Sequence, residues 1–296
     1  MSEQFTLTWS ITEKDEGVLV REFLKKHHIS KTALTDIKFN GGDILVNGGH
    51  VTVRYSLKQG DMLSVLFPPE IPSEGLTGEN IPLEIVYEDD YILVINKPPF
   101  LSSIPSREHP TGSMSHALLY YYEQQGIAST IHLVNRLDRD TSGLLIVAKY
   151  RYVHYLFSKE QQRHTIQRTY RAIVHGTLAF DKGTVDAPIG RKSESIIERE
   201  VREDGQHAVT HYKVLQRSED FTYVALKLET GRTHQIRVHM SYLGHPLLGD
   251  ELYGGKRDKI ERQALHSHEL HFYHPILQKE FFFTAEVPGD MKKIIE

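Results

Sequence analysis

Apolar positions change their period within the first 70 residues. In 17-GVLVREFLKKHHISKTALTDIKF-39 they fall at Val20, Phe23 and Leu24, then at Leu34 and Ile37. Residues three and four apart share a helix face, so this spacing predicts two short amphipathic helices. Ser30 is placed to cap the second, its hydroxyl accepting from a first-turn N–H. ILVNGGHV then reads as a strand, an Asn47-Gly48 turn and a return strand. An Asn-Gly pair tolerates the positive φ angles that a two-residue hairpin demands. LKQGDMLSVLF adds a further turn and strand.

The periodicity stops at 68-PPEIPSEGLTGENIPLE-84, which holds four prolines and two glycines. Such a stretch reads as a linker. The division it predicts is a small module over 1–70, a linker over 71–83 and a larger domain over 84–296. In that domain Tyr91 to Ile95 form a β-rich run stopped by Pro98-Pro99, and GSMSHALLYYYEQQG is a helix ending near Gly126. TSGLLIVAK joins a turn to a buried strand. TYRAIVHGTL and FTYVALKLETG are strands. Thr233 is placed to cap a helix over THQIRVHMSYLG, with Ile236, Met240 and Leu243 on one face and Gly244 at its end. Strands and helices mix without a steady βαβ rhythm, which predicts an α+β domain around a largely antiparallel sheet.

Composition narrows the function classes. The 296 residues include no cysteine, which excludes disulfides, thiolate nucleophiles and thiolate metal sites and makes a reducing cytoplasm the default. The N-terminus lacks a basic start followed by an apolar run, and no stretch is long and apolar enough to span a bilayer. The formal net charge is -4, yet the positive charge is clustered. Arg21, Lys25, Lys26, Lys31 and Lys38 stand against Glu22 and Asp36; Lys149, Arg151, Lys159, Arg163, Arg168 and Arg171 stand against Glu160. One such run is ordinarily a solvated helix face. Two on an acidic background point to an anionic partner.

The candidate chemistry centres on 135-NRLDRDTSG-143. Asp138 precedes the strand LLIVAK and therefore sits on a loop at the edge of a sheet, where a scaffold holds a group that substrate can still reach. A carboxylate there serves as nucleophile or base when a neighbouring guanidinium keeps it ionised, and Arg136 and Arg237 are the candidates. A structural ion pair is the competing reading of the same residues. Histidine offers a metal hypothesis through His234 and His239 and through His266, His268 and His271. No HExxH is present, and residues five apart leave a common helix face, so structural or RNA-facing histidines are expected instead. No Walker-type loop, no G-x-G-x-x-G after a strand and no G-x-S-x-G elbow occurs.

The segment 134-VNRLDRDTSGLLIVAK-149 closely resembles the catalytic signature of the RluA/RluD-type pseudouridine synthases, HRLDxxTSGLLxxAK. VINKP at 94 to 98, RTYRAIVHG at 168 to 176, TGRTHQIRVHMSYLGHPLLGDELYGG at 230 to 255 and QALHSHELHFYHP at 263 to 275 resemble further motifs in the same order. The N-terminal module is similar to the α-L RNA-binding fold often joined to these enzymes, through ILVNG and LKQGD. The resemblance covers nearly the whole chain. Two departures stand out: Asn135 replaces the usual His, and FLSSIPS replaces GLVVHP after VINKP.

The resemblance implies an enzyme that detaches uracil from ribose in RNA, turns it and rejoins it through carbon. No cofactor and no metal are implied. Asp138 would be the catalytic carboxylate, attacking the ribose or removing a sugar proton. Arg237 would pair with it, and Tyr170 would stack under the flipped uracil. Arg136 would fill the space the nucleotide leaves, since the base must be extruded before chemistry. Arg139, Arg168, Lys25, Lys26 and Lys31 are expected to bind RNA phosphates, with ribosomal RNA favoured over transfer RNA, in a cytoplasmic monomer. The competing functions are an RNA-binding or ribosome-assembly factor whose chemistry is secondary, and a His-dependent metallohydrolase.

Overall fold

The structure, a computed structural model, describes residues 4–107 and 109–296. Its elements run β1 (Thr6–Ser10), α1 (Val20–Lys26), α2 (Lys31–Phe39), β2 (Asp43–Val46), β3 (Gly49–His50), β4 (Met62–Leu66), β5 (Ile85–Glu88), β6 (Ile92–Lys97), α3 (Met114–Gln125), β7 (His132–Leu133), β8 (Ser142–Ala148) and α4 (Arg151–Gln162). They continue with β9 (Gln167–His175), β10 (Lys182–Asp186), β11 (Ile189–Arg191), β12 (Arg199–Val201), β13 (Val209–Arg217), β14 (Phe221–Leu228), α5 (Gln235–Tyr242), β15 (Leu265–His274), β16 (Lys279–Thr284) and α6 (Gly289–Ile295).

The chain forms two compact units. The first comprises residues 1–81 with 115–132 and 148–156; the second holds the remainder. Segment 68–84 contains no helix or strand, and contacts rather than chain order decide which unit each stretch joins.

The first unit carries an antiparallel sheet in the order β1-β4-β2-β3 with α1 and α2 beside it. Val20, Phe23, Leu24, Ile29 and Ile37 meet Ile44, Leu57, Leu63 and Val65 in one buried cluster. Ser30 Oγ accepts from Ala33 N at 3.1 Å and caps α2. Asn47 and Gly48 both take positive φ, 53° and 79°, closing the β2–β3 hairpin. Strand β1 had no counterpart in the sequence reading. It pairs antiparallel with β4, and of its five residues only Leu7 is buried, with Trp9 half-buried.

The second unit is built on a ten-stranded sheet in the order β10-β13-β14-β9-β15-β8-β6-β5, with β16 on β15 and β7 on β8. The β8–β15 pair is parallel, whereas β13, β14, β9, β15 and β16 pair antiparallel in turn. The α+β expectation therefore holds. Strand β8 is buried at every residue, as a central strand with both faces covered must be. The run 149–171, marked in the sequence by charge alone, divides into α4 and β9. Lys149 is buried rather than surface-exposed, which corrects its place in the proposed phosphate-binding run.

Helix α5 corrects the expected cap. It starts at Gln235, and its N-cap is His234 in the left-handed region (φ 57°, ψ 20°), not Thr233. Gln235 does local capping instead: its Oε1 accepts from Arg232 N at 3.0 Å and from Thr230 Oγ1 at 2.8 Å. Gly244, at φ 82°, ends the helix as expected.

Candidate active site

Four buried side chains hold the loop between β7 and β8, three by its backbone and one by the Thr141 hydroxyl. Lys97 ends β6 with its Nζ inside the protein, donating to the carbonyls of Pro98, Leu101 and Arg139 at 2.8, 2.9 and 2.9 Å. Burial pushes its pKa down to about 7. Ser103 Oγ donates to Leu137 O at 2.7 Å and accepts from Leu137 N. Arg262, the largest wholly buried side chain, donates to Asp140 O at 3.1 Å and forms a two-pronged pair with Asp290. Gln263 Nε2 donates to Thr141 Oγ1. Residues 137 to 141 are thus fixed from both sides, which leaves the Asp138 side chain as the free projection of a rigid loop.

That loop continues into β8 through Gly143 at φ 111°. A Cβ there would lie 2.2 Å from Ser267 O on β15, so the closely approaching pair Gly143 and Ser267 requires glycine. Ser142, the first residue of β8, bonds His266 Nδ1 on β15 through its Oγ at 2.9 Å, a link across the strand pair. Asn135 is buried, and its Oδ1 accepts from Ile146 N at 3.0 Å, tying the start of the loop to β8. Its Nδ2 has no partner among the described residues.

Asp138, Tyr170, Arg237 and Arg136 line one small cavity of about 60 Å³, together with Arg232 and His234. Arg237 rises from α5 and donates through Nη1 to Asp138 Oδ2 at 3.2 Å. Its Nε and Nη2 grip Asp250 at 2.7 Å each, and the guanidinium lies 4.9 Å from the Tyr253 ring centre. The two carboxylates raise the pKa of the guanidinium against the opposing effect of burial. Asp250 is 1% exposed at its side chain, Asp138 29%. The geometry therefore assigns one buried arginine two roles: a structural pair with Asp250 and a fixed charge beside Asp138. Tyr170, on β9, is buried with its ring at the cavity wall.

Among the expected RNA-binding residues, Arg136 lines this cavity and the others lie outside it. Arg136 is exposed at its rim and engages no ion pair among the described residues. Arg139 is exposed and turned to Asp140 at 2.9 Å. Arg168 is half-buried two residues before Tyr170 on the same strand. Lys25, Lys26 and Lys31 are exposed on the first unit, with Lys26 paired to Asp15 at 3.1 Å.

Sequence reasoning did not single out Asp250, Tyr253, Lys97, Ser103 or Arg262. It weighed His234 as a metal ligand and preferred a structural or RNA-facing histidine, without linking it to Asp138. His234 Nε2 lies 3.8 Å from Asp138 Oδ2. His239 is buried between Thr210 Oγ1 and Ala187 O. His266 bonds Ser142 and Ala285 O.

A family description, RNA pseudouridylate synthase, matches residues 91–242 and so spans the loop, Tyr170 and Arg237. The chain belongs to this family, in its RluA/RluD-type branch, and is an RNA pseudouridine synthase, an isomerase. It is 57% identical, over 94% of its length and 98% of the relative's, to the "Uncharacterized RNA pseudouridine synthase YjbO" of Bacillus subtilis. It is 38% identical, over 100% and 95%, to the "Ribosomal large subunit pseudouridine synthase D" of Vibrio parahaemolyticus. The solved structure of human RNA pseudouridylate synthase domain containing 1 matches 71% of this chain and 85% of its own, at 26% identity and a TM-score of 0.60. No helix among the described residues is long and apolar enough to cross a membrane.

Proposed function

We propose that this synthase converts specific uridines of large-subunit ribosomal RNA to pseudouridine, with Asp138 as its catalytic carboxylate. The observation that carries the reading is the Arg237–Asp138 pair, at 3.2 Å, in a cavity walled by Tyr170. A uridine inside a helix cannot reach this recessed carboxylate, so the nucleotide must be extruded first, at a cost of about a few kcal/mol. Arg136, exposed at the rim, is placed to occupy the vacated stack. Tyr170 offers its ring to the uracil. Asp138 then attacks the ribose or removes a sugar proton. Either step breaks the N1–C1′ bond and frees uracil to turn; C5 then bonds C1′ as Asp138 leaves C1′ or returns the sugar proton, and the C5 proton is lost while N1 takes one up, so the product is an isomer. No electron leaves or enters the substrate, so the reaction calls for no redox cofactor.

The choice of ribosomal RNA rests on the Vibrio relative's name as a ribosomal large subunit pseudouridine synthase, a protein similar over the full length of this chain. The 1–70 module is proposed to act as an α-L-type RNA-binding module, with Lys25 and Lys31 facing phosphates. Arg139 and Arg168 are proposed to contact the backbone near the flipped nucleotide. The enzyme is proposed to work in the cytoplasm as a monomer.

The test is a carbodiimide map of pseudouridine in total RNA. It compares a deletion strain, that strain with the wild-type gene, and that strain with Asp138→Ala or Asp138→Asn. Stops that vanish on deletion and return only with wild type name the target. Purified Asp138→Asn is expected to bind RNA as wild type does and to form no pseudouridine. Turnover near the wild-type rate in either variant removes Asp138 from the mechanism, and restored growth without restored stops favours an assembly role.

A further inference from the structure

The side chain of Asp138 is asymmetric. Both its close polar neighbours face Oδ2: Arg237 Nη1 at 3.2 Å and His234 Nε2 at 3.8 Å. No hydrogen bond reaches Oδ1 among the described residues. Arginine alone leaves the carboxylate free to swivel about its bond to Cβ. A second donor on the same oxygen would prevent this.

His234 is built for that task. It sits in the left-handed region at φ 57°, a conformation uncommon for histidine, at the N-cap of α5 without capping the helix. Strained backbone of this kind persists where surrounding structure holds it, and it concentrates at functional sites. The ring is held by Tyr253, whose Oη lies 2.7 Å from His234 Nδ1. That Oη also accepts from Arg199 N at 3.0 Å. Its own hydrogen is then directed at Nδ1; the reverse arrangement would leave the phenol hydrogen without an acceptor. Nδ1 is therefore unprotonated, and a neutral imidazole carries its proton on Nε2, facing Asp138.

We propose that His234 is a positioning residue for the isomerisation. Tyr253 sets it as the Nε2–H tautomer, and that N–H, 3.8 Å away and so acting by electrostatic attraction rather than a hydrogen bond, draws Asp138 Oδ2 alongside the Arg237 bond, so that Oδ1 is the oxygen presented to the ribose. The inference rests on Asp138 being the catalytic carboxylate. The charged groups facing the ring are Asp138 from the loop, Arg237 from α5, Asp250 and Arg199. Burial, helped by the two arginines, outweighs the two carboxylates and lowers the imidazole's pKa, which favours the neutral ring. Burial likewise pushes the Tyr253 phenol up to about 12, which keeps it a donor. Protonating the ring would add a hydrogen on Nδ1, against the phenol hydrogen, and break the Tyr253 contact that sets the tautomer.

Two variants and one spectrum test this. His234→Asn keeps a residue that tolerates the left-handed backbone but cannot span from Tyr253 to Asp138. Tyr253→Phe keeps the ring against Arg237 and removes only the hydroxyl. The substrate is total RNA from a strain lacking the gene, grown on uracil tritiated at C5, so that each turnover releases one tritium. His234→Asn is expected to lower kcat by roughly 100-fold, the scale of misplacing a reacting group by about 1 Å. Tyr253→Phe is expected to lower it about tenfold, with KM for RNA within about twofold in both, because only transition-state alignment is lost. Nitrogen-15 NMR of histidine-labelled wild-type protein is expected to show His234 Nδ1 unprotonated at neutral pH. A protonated Nδ1, or wild-type kcat in Tyr253→Phe, overturns the proposal even if His234→Asn misfolds. An active Asp138→Asn in the same assay would instead overturn the reading on which it rests.

Discussion

Arg237 stands between two carboxylates with different surroundings, and this decides what its removal would do. Asp250 is buried and held by two short bonds, whereas Asp138 is partly open and held by one. Arg237→Met should therefore abolish turnover through Asp138 and destabilise the fold through Asp250. An unpaired buried carboxylate costs about 3–5 kcal/mol, read as a lower urea midpoint. Arg237→Met with Asp250→Asn should recover much of that stability and none of the activity; equal stability in single and double variants would count against Asp250 as the cause. A second residue-scale prediction concerns His266, buried with its pKa pushed down to about 4 by desolvation. The folded state prefers the neutral ring, so its contribution is complete above the unfolded value near 6.5. It is lost as pH falls from there through about 4, at most roughly 3 kcal/mol. Stability measured from pH 7 to 4 should fall less steeply in His266→Gln. The sequence motif pointed to Arg237 beside Asp138. Asp250, thirteen residues further on, was not legible, because its partnership depends on where the chain after α5 returns.

At the scale of elements, patterns with a local cause were readable. Helix α2 begins at its Ser30 cap, the β2–β3 hairpin closes on Asn47-Gly48, and β6 stops before its prolines. The start of α5 was misplaced by one residue at the cap because its entry uses a left-handed histidine held by tertiary contacts, which no propensity favours. Strands β10 to β13 escaped notice because edge and hairpin strands bury little and so alternate weakly. Gly143 shows how one residue can govern a strand pair. Gly143→Ala should drive β8 from β15, since the added Cβ meets Ser267 O at 2.2 Å. The expected loss is on the order of 3 kcal/mol, with the loop misplaced. Soluble yield and melting temperature check it; a wild-type melting curve would mean that the strands separate more easily than their contacts imply.

At the scale of the whole molecule, an acidic protein that acts on RNA must concentrate its positive charge. With a net charge of -4, binding depends on local lysines and arginines rather than on the total. If the first unit contacts phosphates, Lys25→Ala with Lys31→Ala should weaken RNA binding evenly across sequences. The slope of log K against log salt should shrink by roughly 1–2. Lys26→Ala should do less, since Lys26 is already paired with Asp15. An unchanged slope in filter binding would place the RNA path elsewhere.

The sequence by itself determined the family, the α+β class and the helices and hairpin of the first module, and it pointed to residues 138, 170 and 237, which line one cavity. Each follows from contiguous motifs or from periodicity, which act over a few residues. Tertiary structure alone decided that Lys97, Ser103, Arg262 and Gln263 fix one loop, and that Asp250, Tyr253 and His234 surround one arginine and one aspartate. Those partners come from separate strands and turns. Burial then makes each unpaired polar group costly, so the fold settles where all of them are matched together, and no local pattern records that condition.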